Sequence, residues 1–257
     1  KKTQIHAYDI VKFKYYFFKN KLKAYKYVYY HNSLLILHKI VPIPVSSVYN
    51  AGLFKTELKN KSMKRYKNTK LMFCQTYLNL SMYYCAKKYR VCAFNFSNLN
   101  SSYNHGMLND EAELCRVCPG LYPSLLKVSE KQVSNKNIFT PNVLLVRDSE
   151  TDYNFYNKPK TVSIISGTLP NIIETDRNKI KNIFRRMFII PALNGCNCLV
   201  ISAWSCDEIK SNPHTIAELI CKMIKKYKRF YKVICLSIPK GYNYMIFHKV
   251  FQENELL

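Results

Sequence analysis

Residues 91–126 read VCAFNFSNLNSSYNHGMLNDEAELCRVCPGLYPSLL. The apolar run over residues 91–96 predicts a short buried strand. It stops in a polar turn over residues 97–105. Gly106 follows, and then Asp110, Glu111 and Glu113 open a helical stretch. Strand, polar loop and helix in that order are how α/β proteins build a site at the carboxyl end of a strand. Acids in a helix's first turn also complement its dipole without serving any site, so these residues alone leave both readings open.

The flanking sequence repeats the same alternation. Short apolar runs predict strands at residues 71–73, 143–146, 161–166, 198–202 and 232–238. Between and after them, helices are expected at residues 76–88, 178–191, 213–229 and 244–252. Pro213 suits the first position of its helix, where the missing N–H costs nothing. Repeated β-α-β order in a chain of 257 residues, 48% of them apolar, predicts one large α/β domain with helices on both faces of a sheet. No apolar run reaches the roughly 18 residues of a membrane span, so neither a membrane partner nor a leader peptide is expected.

Ten cysteines need an account. Cys115 and Cys118, and Cys196 and Cys198, have partly metal-like spacing, but a zinc site needs two well-separated pairs with matching geometry. Most of the others sit in apolar surroundings, where cysteine acts as a small hydrophobe. The expectation is reduced core thiols, no metal, no cofactor, and a reducing compartment, cytoplasmic or nuclear. The six histidines are scattered and give no local signature of a Cys-His hydrolase.

The net charge of +24 is unevenly spread. Residues 1–90 carry 19 Lys and Arg against Asp9 and Glu57, a net +17; residues 91–257 carry 21 against 14, a net +7. Such asymmetry points to a polyanionic partner, RNA or a ribonucleoprotein such as the ribosome among them, with a solvated basic face as the bland alternative. Two segments concentrate the charge. The first interleaves Lys12, Lys14, Lys19, Lys21, Lys23 and Lys26 with tyrosines and phenylalanines. Ammonium groups and rings together suit phosphates and bases; the alternative is a β-hairpin or extended arm whose rings turn inward. The second, with Lys61, Lys64, Arg65 and Lys67, is expected as an exposed loop over residues 55–70.

The central stretch resembles the microbial poly(ADP-ribose) glycohydrolases, a branch of the macrodomain fold. Their hallmark has the form N-F-A-S-x-x-N-P-G-G-G-F-x-x-G-A-x-x-Q-E-E-x-L-C-R-x-S-x-L-Y-P-S-L. Matched from Leu114-Cys115-Arg116, Gly106 falls on the glycine before the family's alanine, Asn98 on the asparagine before the triple glycine, and Glu111 on the first glutamate. The resemblance implies a macrodomain-like three-layer α/β/α sandwich over residues 71–257, preceded by a basic aromatic extension over residues 1–70.

The resemblance also shows what has been replaced. Asn100, Ser101 and Ser102 stand where the family has three glycines, whose bare backbone can approach a diphosphate. Ala112 stands where it has the catalytic glutamate, and alanine transfers no proton. Glu111 or Glu113 are possible substitutes, yet neighbours on a helix point about 100° apart. The second phosphate loop, G-A-W-G-C-G in the family, reads Ser202, Ala203, Trp204, Ser205, Cys206, Asp207 here. Trp204 is kept, Ser205 and Asp207 replace glycines, and Asp207 repels a diphosphate. The implied pocket, Asn98, Asn100, Ser101, Ser102, Gly106, Trp204, Ser205 and Asp207, is therefore degenerate. The expected function is a pseudoenzyme, a degenerate glycohydrolase-like macrodomain acting as a binding or structural component on RNA, a ribonucleoprotein or another polyanion, with ADP-ribose binding weak or absent. The alternative is a surviving glycohydrolase that removes ADP-ribose from proteins.

Overall fold

The computed structural model describes residues 8–96, 110–129, 136–167, 177–203 and 212–257. Among them, seven strands form one sheet: β1 (Ser47–Tyr49), β2 (Lys70–Cys74), β3 (Val91–Phe96), β4 (Asn137–Asp148), β5 (Asn154–Gly167), β6 (Cys198–Ile201) and β7 (Val233–Ser237). Their order is β1-β4-β5-β3-β6-β7-β2. The pairs from β5 through β3, β6 and β7 to β2 are parallel, while β1–β4 and β4–β5 are antiparallel. Strands β6 and β7 are buried along their whole length, which explains why they read as continuous apolar runs rather than alternating ones.

Alternation along each central strand feeds two cores. Cys92 and Phe94 of β3, Leu199 and Ile201 of β6, and Ile234 and Leu236 of β7 face one side. Val91 and Ala93, Cys198 and Val200, and Val233 and Cys235 face the other. The first face is covered by α3 (Ala51–Asn60), α7 (Arg177–Leu193), α8 (Pro213–Tyr227) and α9 (Tyr242–Glu253). The second is covered by α1 (Ile10–Lys19), α2 (Lys21–Leu37), α4 (Leu78–Cys85), α5 (Asp110–Val117) and α6 (Leu121–Ser129). Helix, sheet, helix is the three-layer macrodomain-like sandwich expected. The Phe94 and Phe188 rings meet edge to face at 5.2 Å between sheet and α7, and truncating either to Ala costs about 3–5 kcal/mol.

The first 70 residues are woven into this body. β1 adds to the sheet edge beside β4, Phe54 of α3 joins one core, and Phe13, Ala24 and Val28 join the other. The hairpin or extended arm weighed for residues 12–30 is replaced by two helices. Asp9 accepts from Lys12 N at 2.9 Å and Asn20 from Lys23 N at 3.3 Å, capping each helix in turn. Ala24, Val28, His31, Asn32 and Leu35 are then buried at helical spacing. Capping and packing outweigh the β preference of the tyrosines. The exposed loop expected over residues 55–70 begins only at residue 61, because α3 occupies the preceding turns.

The strand expected at residues 143–146 lies in the later half of the longer β4. Its earlier half was hidden by Pro141, which the sheet accommodates at a register shift between Thr140 and Val143. At the other end of the fold, Gly195 closes α7 with φ +76, and a Cβ there would stand 3.2 Å from the Arg90 guanidinium, so both conformation and space call for glycine.

Candidate functional site

The carboxyl ends of β3 and β5 meet the start of α5. Asn95, next to last in β3, sends its Nδ2 to Glu111 Oε1 at 3.1 Å and to Ser166 Oγ of β5 at 3.0 Å. All three residues are buried, Glu111 being 4% exposed. The arrangement arises from the parallel register, in which Asn95 and Ser166 are direct partners. It puts a carboxylate at a strand's carboxyl end with one oxygen held by an amide. Asn95 Oδ1 has no hydrogen-bond partner among the described residues.

The neighbouring positions of α5 do different work. Asp110 is exposed at the helix start. Ala112 is buried, and its carbonyl accepts from the Tyr29 hydroxyl of α2 at 3.3 Å. Glu113 lies about 200° around the helix from Glu111 and is engaged elsewhere. Its Oε2 accepts from Arg116 Nη2 at 2.8 Å, from Arg116 Nε at 3.2 Å and from the Tyr153 hydroxyl. Burial alone would lower the basicity of Arg116, but Glu113 and Tyr153 together more than offset it and hold the guanidinium firmly charged.

A second guanidinium is buried nearby. Arg147 of β4 donates to Asn32 Oδ1, to the Tyr153 carbonyl and to His31 Nδ1, each at 2.7 Å. Its face lies 4.5 Å from the Tyr8 ring centroid and 4.3 Å from that of Phe155. Burial lowers its pKa to about 10, against the smaller opposing influence of Tyr8 and Tyr27. Both arginines are fixed by α2, so the N-terminal helices brace the helix that carries the acidic residues. Sequence reasoning missed both, because their partners on α2 lie 84–116 positions away.

Of the pocket expected by resemblance, Asn98, Asn100, Ser101, Ser102, Gly106, Trp204, Ser205 and Asp207 lie outside the described residues. In sequence they follow β3, which carries Asn95, and β6.

The basic candidates fall into two places. Lys12, Lys14, Lys19, Lys21, Lys23 and Lys26 are exposed on α1 and α2. Several lie over rings, Lys12 at 5.3 Å from the Tyr27 centroid and Lys23 at 5.6 Å from that of Tyr16; Lys14 is bridged to Asp152 at 3.3 Å. Tyr16, Tyr25 and Tyr27 pack inward with the second core, whereas Tyr15, Phe18 and Tyr30 stay exposed. Lys61, Lys64, Arg65 and Lys67 are exposed elsewhere, where the chain runs toward the far sheet edge. Tyr66 N bonds the Arg229 carbonyl at 2.7 Å, and Arg65 lies 5.8 Å from the Phe230 centroid. Exposed Lys228, Arg229 and Lys232 therefore extend this second strip, an addition that no local sequence signal could reveal.

All nine cysteines among the described residues are free thiols, and burial pushes those of Cys115 and Cys118 up. Among the described residues, no group of three or more His, Cys, Asp or Glu is arranged to hold a metal ion. None of the described helices is long and apolar enough to cross a membrane.

Comparison of the whole fold gives one consistent answer. Poly(ADP-ribose) glycohydrolase from Thermomonospora curvata superposes with a TM-score of 0.74 at 15% identity, over 89% of this chain and 99% of that one. The fold is that of the microbial poly(ADP-ribose) glycohydrolases. The Thermomonospora glycohydrolase bound to the inhibitor ADP-HPD gives 0.71 at 14% identity, over 88% and 98% of the two chains. The Deinococcus radiodurans glycohydrolase in complex with ADP-ribose gives 0.64 at 14% identity, over 81% and 94%. No family model matches the chain, and no curated protein matches it by sequence. The glycohydrolase fold thus persists here at an identity where only architecture is shared.

Proposed function

We propose that this chain is a glycohydrolase-fold protein that has given up cleavage and serves as a binding or structural component on RNA, a ribonucleoprotein or another polyanion. The observation that carries the loss of chemistry is the state of α5. Position 112, matched to the family's catalytic glutamate, is a buried methyl group, and Glu113 is committed to Arg116 and Tyr153. Glycosidic cleavage needs a carboxyl group placed to protonate the leaving oxygen or activate water, and placement has to hold to about an ångström. The two exposed basic strips supply a surface for a polyanion, and a contact of that kind weakens steeply with salt.

One observation favours a second reading. Glu111 is a buried carboxylate at the carboxyl end of β3, held by Asn95, and it could take over the acid's part in a slow glycohydrolase that removes ADP-ribose from proteins. The experiment is a single-turnover assay on ADP-ribosylated protein with enzyme in large excess, paired with calorimetry using free ADP-ribose. No release is expected, and binding is expected to be weak or absent. Release that disappears in Glu111→Gln would overturn the first reading in favour of the second.

A further inference from the structure

On the sheet face opposite α5, helices α3 and α7 enclose a cleft of about 260 Å³. Phe54 and Leu58 give it an apolar wall; Lys55, Asn182, Arg185 and Arg186 give it polar ones. Three cations thus converge on one small space, and Arg185 lies 5.7 Å from the centroid of the Phe54 ring. Lys55 and Arg185 make no ion pair among the described residues. Arg186 is buried, with its Nε held on Asn137 Oδ1 at 2.7 Å, which fixes the plane of its guanidinium.

Among the described residues, the helices that carry Lys55 and Arg185 offer them no acid. α7 contains none. The acid of α3, Glu57, sits about 200° around the helix from Lys55. There it accepts from the Tyr49 hydroxyl at 2.8 Å and pairs with Lys61 at 3.0 Å. Like charges brought as close as Lys55 and Arg185 cost free energy that a bound anion recovers. Guanidinium groups match the oxygens of phosphate with paired, charge-assisted hydrogen bonds, and an apolar wall beside them suits a ligand that is part ring and part anion.

We propose that the cleft between α3 and α7 binds a small phosphomonoester whose organic part is apolar and planar, its phosphate on Lys55, Arg185 and Asn182 and its ring against Phe54 and Leu58. The site involves neither Glu111 nor the basic strips, so it stands or falls independently of the function proposed above.

Phenyl phosphate is the probe. In calorimetry on the full chain, phenyl phosphate is expected to bind about tenfold more tightly than inorganic phosphate, because only the former buries a ring. Arg185→Gln and Lys55→Gln, both at exposed positions, are each expected to weaken phenyl phosphate about tenfold, while Lys12→Gln on the other face leaves it unchanged. In the unaltered protein, phenyl phosphate is expected to protect Arg185 from modification by phenylglyoxal, a readout that needs no variant. Equal binding by Arg185→Gln, or absence of protection, overturns the proposal. Displacement of phenyl phosphate by a short single-stranded RNA, with the same dependence on Arg185, would also overturn it, assigning the cleft to a nucleic-acid backbone.

Discussion

The guanidinium of Arg116 lies 4.2 Å from the centroid of the Tyr25 ring while its nitrogens hold Glu113. A residue of the second helix thereby covers the charge pair that fixes the orientation of α5. The same helix reaches α5 twice more, through Tyr29 to the Ala112 carbonyl and through Asn32 to the Arg116 carbonyl. The acidic start of α5 is consequently set by residues from the first eighth of the chain.

Glu113→Ala tests whether that acid is structural. Arg116 has a side chain only 2% exposed, and the substitution removes the carboxylate that its guanidinium grips. The expected cost is about 3 kcal/mol, the lower end of the usual range because Glu113 keeps some contact with water. Urea unfolding measures it. A variant as stable as the parent would show that Glu113 is free for another task.

Deleting residues 1–37 is expected to abolish cooperative folding. It removes the partners that His31 and Asn32 give to Arg147 and uncovers the core filled by Phe13, Ala24 and Val28. Stripping a buried guanidinium of two partners and a core of one covering layer costs several kcal/mol, against a total stability of about 5–15 kcal/mol for a domain. Circular dichroism through a thermal ramp reads the result; a sharp transition in the truncated chain would mean that the helices are dispensable.

Polyanion binding has a quantitative signature. With single-stranded RNA, the slope of log affinity against log salt is expected to shrink by about 0.7 for each contacting cation removed. Neutralising Lys61, Lys64 and Arg65 together is expected to reduce it by about 2, and neutralising Lys19, Lys21 and Lys23 tests the other strip in the same way. If neither set changes the slope, the RNA reading fails.

Alkaline stability should report on Tyr49. Burial, and then Glu57 beside its hydroxyl, raise its pKa from 10.0 to about 12, with the Asn194 contact acting the other way. Between those values the folded state holds a proton that the unfolded chain has released. This contribution to stability is complete below pH 10 and is lost as pH rises toward about 12. Unfolding midpoints measured across that window should fall less steeply in Tyr49→Phe than in the parent.

The sequence was easiest to read where burial is complete. β3 runs over the expected residues, and β6 and β7 fall within one or two residues of theirs, because parallel strands covered on both faces leave uninterrupted apolar runs. α5 begins at the expected acids for an equally local reason. The α1–α2 pair was obscured by its tyrosines, whose strand preference masks a helical burial pattern, and β4 by Pro141 at its bulge. The braces on Arg116 and Arg147 join residues more than 80 positions apart, as do the Lys228–Lys232 extension of the basic strip and the α3–α7 cleft. No window of sequence contains such pairs. The carboxylate candidates separate on the same ground: Glu111 and Glu113 are near-neighbours in the chain, but Asn95 claims one and Arg116 the other.

The hydrogen bond from Arg147 to Asn32 spans 115 residues, and synthesis is vectorial. At about 5–20 residues per second, Asn32 is made roughly 6–23 s before the arginine that will seat its helix. Throughout that interval His31 and Asn32 lack the guanidinium that joins them in the folded protein. A nascent chain stalled before residue 147 should therefore recruit a chaperone through this helix, and one stalled well beyond the β4–β5 turn should release it.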